Sequence, residues 1–189
     1  MVDLHGQYEH IREEINTAIQ EVLDTTAFIN GPQVKTFAQH LAEYNQIDHV
    51  IPCANGTDAL QIALMALGLQ PGDEVIVPVH TYVATAEVIA LLHLEPIFVD
   101  CVADRFTIDV SKIEGKITPR TKAIVPVHLY GQCADMEPLM DIAHRHKLYV
   151  VEDTAQAIGA TYTFSNGFQQ KAGCIGDIGT TSFFPSKNL

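Results

Sequence analysis

The sequence predicts an α/β domain built on a largely parallel sheet, and two observations carry that expectation. From residue 50 onward, short apolar runs alternate with stretches of helical periodicity, and the runs are rich in Val and Ile without polar alternation. The first pattern is the rhythm of strand–helix–strand units. The second is how strands hidden on both faces read, because helices then cover both sides of the sheet.

Taken in order, Ile11, Ile15, Ala18, Ile19 and Val22 recur at helical spacing, and Val34, Phe37, Ala38 and Leu41 do so again after a Gly31-Pro32 break. Two helices therefore open the chain. Strands are expected at 50–51, 74–79, 96–99, 123–127, 148–151 and 179–184, with helices at 57–67, 81–92 and 135–146 between them. No internal repeat, low-complexity tract or linker divides these residues.

A length of 189 residues fits one ordinary domain, and an apolar content of 47% is enough for a sizeable core. A net charge of -12 without a basic cluster argues against nucleic acid or an anionic membrane as the main partner, because both require a concentrated positive face. The first residues include Asp3, Glu9, Glu13 and Glu14 and no apolar core of a leader, so no signal or transit peptide is expected. The apolar runs are too short to span a bilayer.

Cys53, Cys101, Cys133 and Cys174 lie far apart without a C-x-x-C pair, which argues against a zinc site or a disulfide framework. Free thiols in a reducing cytoplasm are expected, and no metal site. The histidines are scattered, and the closest pair, His144 and His146, points to different sides of a helix. They read as solvated surface side chains.

Polar and aromatic residues gather just past the apolar runs: Ala54 to Thr57, His80-Thr81-Tyr82, Asp100, His128-Leu129-Tyr130, Asp153 to Gln156, and Ser182 to Lys187. In an open parallel sheet the ligand crevice lies outside the carboxyl ends of the strands, so these groups are expected to converge. Asn55-Gly56-Thr57 joins a strand to a helix and presents backbone N–H groups and a hydroxyl at the positive end of the helix dipole, which suits a phosphate. Taken alone, an ordinary helix cap is the better explanation. Asp58 reads as a first-turn charge that would repel a phosphate unless it pointed away.

Glu152 and Asp153 are strand neighbours and face opposite sides, so at most one looks into the crevice. A lone acid there reads as a helix cap, and its value rises only beside Lys187. That lysine is either an ordinary surface lysine in a loop or, following Phe183, Phe184 and Pro185, one held near low-dielectric surroundings. Desolvation there lowers an ammonium pKa and frees the amine as a nucleophile toward an aldehyde. Gly173, Gly176 and Gly179 form G-x-x-G-x-x-G rather than a dinucleotide fingerprint, and neither a P-loop nor a G-x-S-x-G elbow occurs.

Five segments together resemble the nucleotide-sugar aminotransferases of the DegT/StrS family. They are Asn55 to Leu60, Thr81-Tyr82-Val83-Ala84-Thr85, His128-Leu129-Tyr130-Gly131-Gln132, Glu152-Asp153-Thr154-Ala155-Gln156-Ala157 and Ser182 to Lys187, in the family's order and spacing. The resemblance implies the aspartate-aminotransferase-like (type I) fold and pyridoxal 5'-phosphate (PLP). It implies that residues 1–30 form a helical arm and 31–189 a PLP-binding large domain cut before a C-terminal small domain.

By the same resemblance, Lys187 is similar to the lysine that bonds the cofactor and then moves protons at the substrate α-carbon. Asp153 is similar to the acid that keeps the pyridine nitrogen protonated, and Gln156 to the side chain near the 3-oxygen. Tyr82 resembles the aromatic that stacks on the ring, and Gly56, Thr57 and Ser182 the phosphate holders. Asp58 stands with these cofactor-binding positions in the motif.

A lysine at 187, where related dehydratases carry histidine, implies transamination from L-glutamate to a keto group on a nucleotide-linked sugar. The motifs look most like members acting on UDP-linked 3-keto sugars or uronates. Members of the family are longer homodimers whose partner subunit completes each site, so a fragment of this kind is expected to be poorly stable and inactive by itself. The alternatives are a non-catalytic binding or regulatory member of the same fold, or another type I PLP enzyme acting on amino acids.

Overall fold

The computed structural model describes residues 3–188, and the chain divides into two compact units between Pro52 and Cys53. The first unit holds the two expected helices. Helix α1 (Leu4–Thr25) begins where the Asp3 side chain accepts the Gly6 amide at 2.9 Å and stops where Thr26 turns left-handed at φ 52°. Helix α2 (Pro32–Asn45) opens on a proline, whose fixed φ suits the first turn and whose missing N–H would have no intrahelical acceptor there. Neither helix buries a residue, and Ile19 and Phe37 of their apolar stripes stay exposed.

The second unit runs through α3 (Gly56–Ala66), β1 (Glu74–Pro78), α4 (Ala84–Leu91), β2 (Glu95–Val99), β3 (Thr121–Ile124), α5 (Met136–His146), β4 (Tyr149–Asp153), β5 (Thr161–Thr163), β6 (Gln169–Lys171) and β7 (Ile178–Thr180). Five strands form one parallel sheet in the order β2-β1-β3-β4-β7. From β1 the chain goes to β2 on one side and then crosses back to place β3 on the other. That reversal opens a crevice at the carboxyl ends of the central strands.

Successive residues of the strands feed opposite cores, as the pleat requires. Val75, Val77, Ala123, Val125 and Val151 pack with Leu60, Leu64, Val88 and Ile89 of α3 and α4. Ile76, Ile124 and Val150 pack with Met136, Leu139, Ile142 and Ala143 of α5 on the other face. The parallel sheet with helices on both faces is thus the architecture expected. Helix α5 shows why: its buried residues fall on one stripe, and His144, Arg145 and His146 in its last turn complement the helix dipole.

Three expectations need correction, and one element was not anticipated. Residues 50–51 form no strand, and Ile51 is 81% exposed. Two apolar residues ahead of Pro52, which lacks an N–H, cannot sustain a ladder. The run at 179–184 is strand only through Thr180, because its partner β4 ends at Asp153 opposite it. Helix α4 starts at Ala84 rather than 81, since Thr81 to Val83 form a turn in which the Thr85 amide reaches the Tyr82 carbonyl. The antiparallel pair β5–β6 had no expectation at all.

Candidate active site

A pocket of about 450 Å³ opens at the carboxyl ends of β1, β3, β4 and β7. Each contributor arrives from its own strand: Thr81 and Tyr82 after β1, Val127 and Leu129 after β3, Asp153, Ala155 and Gln156 at the end of β4, and Ser182, Phe184, Ser186 and Lys187 after β7. Asn55, Gly56, Thr57 and Leu60 close it from the start of α3. Its size falls within the range of about 300–1,000 Å³ usual for small-molecule sites.

The α3 end is both a cap and a cradle. Asn55 Oδ1 accepts the Asp58 amide at 2.9 Å, which leaves the amides of Gly56 and Thr57 as the remaining first-turn donors at the positive end of the helix. A Cβ on Gly56 would stand 2.7 Å from Ser182 Cβ and 3.2 Å from its Oγ. Glycine at 56 is what lets the helix start and the Ser182 hydroxyl meet at one corner. Asp58, by contrast, does not line the pocket.

Asp153 closes the floor. It is 6% exposed, Oδ2 accepts from Thr85 Oγ1 at 3.1 Å, and Oδ1 accepts from the Ala155 amide at 3.0 Å. Burial pushes its pKa above the usual carboxylate range despite those hydrogen bonds and the nearby Lys187 charge. A buried acid of this kind calls for a cation to keep it ionised. Gln156 lies beside it, its Oε1 taken by the Tyr130 amide at 2.9 Å, so its NH₂ is the end available to a ligand oxygen. Tyr82, 68% exposed, offers its ring to the same pocket.

Lys187 is half-buried, and its amide closes a turn onto the Phe184 carbonyl at 2.8 Å. The enclosed apolar surroundings expected from Phe183 and Phe184 are not what the structure shows: those rings are 39% and 66% exposed. The loop beyond β7 has no further strand to pair with among the described residues, and Phe184 lines the pocket while staying largely exposed. Of the residues singled out, Gly56, Thr57, Tyr82, Asp153, Gln156, Ser182 and Lys187 all line the one pocket.

Glu152 behaves as strand alternation requires and looks the other way, yet it is no bystander. Its side chain and that of His128 are both fully buried and hydrogen-bonded at 2.8 Å. His128 is therefore not the solvated surface histidine expected: the chain after β3 pairs onward with β4 and carries its ring inside. The signal available was its place in an apolar run, Ala123 to Leu129, with no other polar side chain beyond Lys122.

The sequence matches the DegT/DnrJ/EryC1/StrS aminotransferase family over residues 9–189. The UDP-N-acetyl-3-dehydro-alpha-D-glucosamine 3-aminotransferase of Acidithiobacillus ferrooxidans is 51% identical over 190 residues, covering 100% of this chain and 50% of the relative. The crystal structure of S. venezuelae DesV in complex with a ketimine intermediate superposes with a TM-score of 0.93 at 44% identity, covering 99% of this chain and 49% of that one. The crystal structure of NtdA from Bacillus subtilis with bound cofactor PMP gives a TM-score of 0.85 at 42% identity, covering 94% and 39%. The chain spans about half the length of the curated relative, and its fold class is the aminotransferase-like one that the motifs implied. With 181 consecutive residues matched and half of its positions shared with a sugar aminotransferase, the chain belongs to the DegT/DnrJ/EryC1/StrS aminotransferase family.

Proposed function

We propose that the protein carrying this chain is a PLP-dependent aminotransferase that moves an amino group from L-glutamate to a keto group of a nucleotide-linked sugar, for amino-sugar biosynthesis. UDP-linked 3-keto sugars or uronates are the proposed substrate class, and a homodimer the proposed assembly. The observation that carries this reading is one pocket shared by an amine at Lys187, a buried acid at Asp153 and the Gly56–Ser182 corner. These are the three groups that an aldehyde, a basic ring nitrogen and a phosphate on one small molecule require. Similarity to the UDP-sugar 3-aminotransferase supports the substrate class, and similarity to the PMP-bound structure supports the cofactor.

When bound, PLP supplies an aldehyde that captures amines and a protonated ring that withdraws electrons from the substrate α-carbon. The Gly56 and Thr57 amides and the Ser182 hydroxyl would hold its phosphate, with the helix dipole favouring that charge. Asp153 would hold a proton on the ring nitrogen, and the pairing supplies the cation its burial calls for. Gln156 would donate its NH₂ to the 3-oxygen, and Tyr82 would cover a ring face. The Lys187 amine would anchor the aldehyde, then take the proton from the substrate α-carbon and return it on the other side of the transfer. Asp58 would act as a first-turn charge outside the pocket.

The test uses the full protein. It is expected to acquire the visible absorbance of lysine-linked PLP and to convert a panel of keto-sugar nucleotides in the presence of L-glutamate. Lys187→Ala is expected to lose that absorbance and about 10²–10⁴-fold in turnover. Unchanged absorbance and turnover in the variant would sink the assignment, and turnover with amino acids alone would redirect it to another type I PLP enzyme.

A further inference from the structure

We propose that Glu152 is a positioning residue: its buried carboxylate, cradled by backbone amides of the turn at residues 173–176, sets where β7 and the loop bearing Ser182 and Lys187 stand. The inference rests on the reading of the pocket given above and deepens it. Two carboxylate oxygens receive four N–H donors, His128 Nε2 at 2.8 Å and Gly173 at 2.9 Å on Oε2, Ile175 and Gly176 at 2.6 Å each on Oε1. The side chain is fully buried, so no solvent shares these bonds. Convergent amides in a tight turn form a nest for an anion, and here the anion belongs to the protein itself.

This cradle explains the glycine series that fits no nucleotide motif. Gly173 has φ +85°, a conformation that L side chains rarely adopt, and a Cβ on Gly176 would stand 2.7 Å from the Val150 carbonyl oxygen. A Cβ on Gly179 would fall onto the Gly173 backbone. The turn is therefore stacked backbone against backbone on β4, directly over Glu152. Strand β7 follows at once and has only three residues paired to β4, so the turn fixes the end from which it enters the sheet. The loop from Thr181 to Lys187 continues from that strand into the pocket.

His128 extends the same hub to the next strand. Its Nδ1 accepts the Ala134 amide at 3.0 Å, so the proton sits on Nε2 and points at Glu152. The ring lies between Val127 and Leu129, both on the pocket wall, and the following residue, Tyr130, holds Gln156. A carboxylate is required here. Glutamine has the same shape but would set its NH₂ against N–H donors, and His128 cannot switch tautomer without confronting the Ala134 amide.

The test is Glu152→Gln in the full protein, read by amide hydrogen exchange and steady-state kinetics. Expected is exchange at least about 10-fold faster in residues 173–182 with β1 and β3 unchanged, and a kcat lowered about 10–100-fold with both KM values within about threefold. That split is what a displaced lysine produces when binding is intact. Unchanged protection at 173–182, or equal loss in β1 and β3, overturns the proposal. Should that variant not fold, Glu152→Asp decides, because it keeps the charge but draws it back from the turn amides. Faster exchange at 173–182 and a lowered kcat are then expected together, and a lowered kcat over a protected turn, or a loosened turn with full kcat, overturns the idea. Absence of Lys187-dependent PLP absorbance in the unaltered protein would defeat the pocket reading alone, since the exchange comparison judges the cradle without cofactor.

Discussion

Glu152 and Asp153 are consecutive residues of β4, and both are hidden from water, at 0% and 6% exposure. Their surroundings nevertheless push them in opposite directions. Burial would raise the pKa of each. For Glu152 the hydrogen bonds from His128 and the turn amides overcome that and hold the carboxyl below its usual range. For Asp153 one amide and one hydroxyl do not, and burial wins. One face of the strand satisfies its acid completely from within the protein. The other leaves its acid wanting a positive partner, and a binding site is where such a want is retained.

The sharpest way to break this contrast is Glu152→Ala, which strands several buried donors. It is expected to cost about 3–5 kcal/mol of unfolding free energy, read from urea midpoints. Asp153→Asn should do the reverse, losing about 10²–10³-fold in turnover, as for removal of one preorganised electrostatic partner. Its stability without cofactor is expected to equal or exceed that of the parent, since an ill-solvated charge is gone. A fall in stability comparable to that of Glu152→Ala would erase the distinction between the two faces.

Between these lies Gly56→Ala, whose added methyl must push Ser182 away. It is expected to cost about 1–3 kcal/mol, as overpacking does, and to weaken phosphate holding, seen as a higher PLP dissociation constant in a fluorescence titration. Acid and base melts sharpen the comparison further. The Glu152 contribution should be present above about pH 4.3 and lost as pH falls through its lowered folded pKa. The Asp153 contribution should be present below about pH 3.9 and lost as pH rises through its raised folded pKa. Without cofactor, the advantage of Asp153→Asn over the parent should therefore grow as pH rises above about 3.9. The smallest effect is expected from Asp58→Asn, about 0.3–1 kcal/mol from the lost first-turn charge. Its PLP affinity should stay within about threefold, because the residue lies outside the pocket.

Much of this was legible in the sequence where burial and periodicity coincide. The runs at 74–79, 123–127 and 148–151 are apolar because both faces are covered, and of the residues past them Thr81, Tyr82, Leu129, Ala155 and Gln156 meet in one pocket, whereas His80, and Asp100 after the run at 96–99, do not line it and His128 turns into the core. Strand alternation alone separated Glu152 from Asp153. What stayed hidden depends on partners distant in sequence or on backbone. The pair β5–β6 is short and mostly polar, with Thr161, Thr163 and Gln169 exposed and the Gln170 side chain reaching the Cys174 carbonyl, so the brief alternation Thr161-Tyr162-Thr163-Phe164 was too short to mark it. His128 shows its burial only through the apolar run around it, since its partner lies 24 positions on. The cradle around Glu152 is made of amides, which every residue has, and only the glycine spacing hinted at it.

The pocket is assembled from segments running from Asn55 to Lys187, and the last of them is also the one that carries the amine. A ribosome adding roughly 5–20 residues per second needs on the order of ten seconds to travel between those positions. Throughout that interval the growing polypeptide has no finished place for a vitamin-derived ligand, so such a ligand cannot template early folding and can only lock in what has already formed. Supply of vitamin B6 to a cell should then alter how long the mature protein survives, and leave the yield of newly made chains largely untouched.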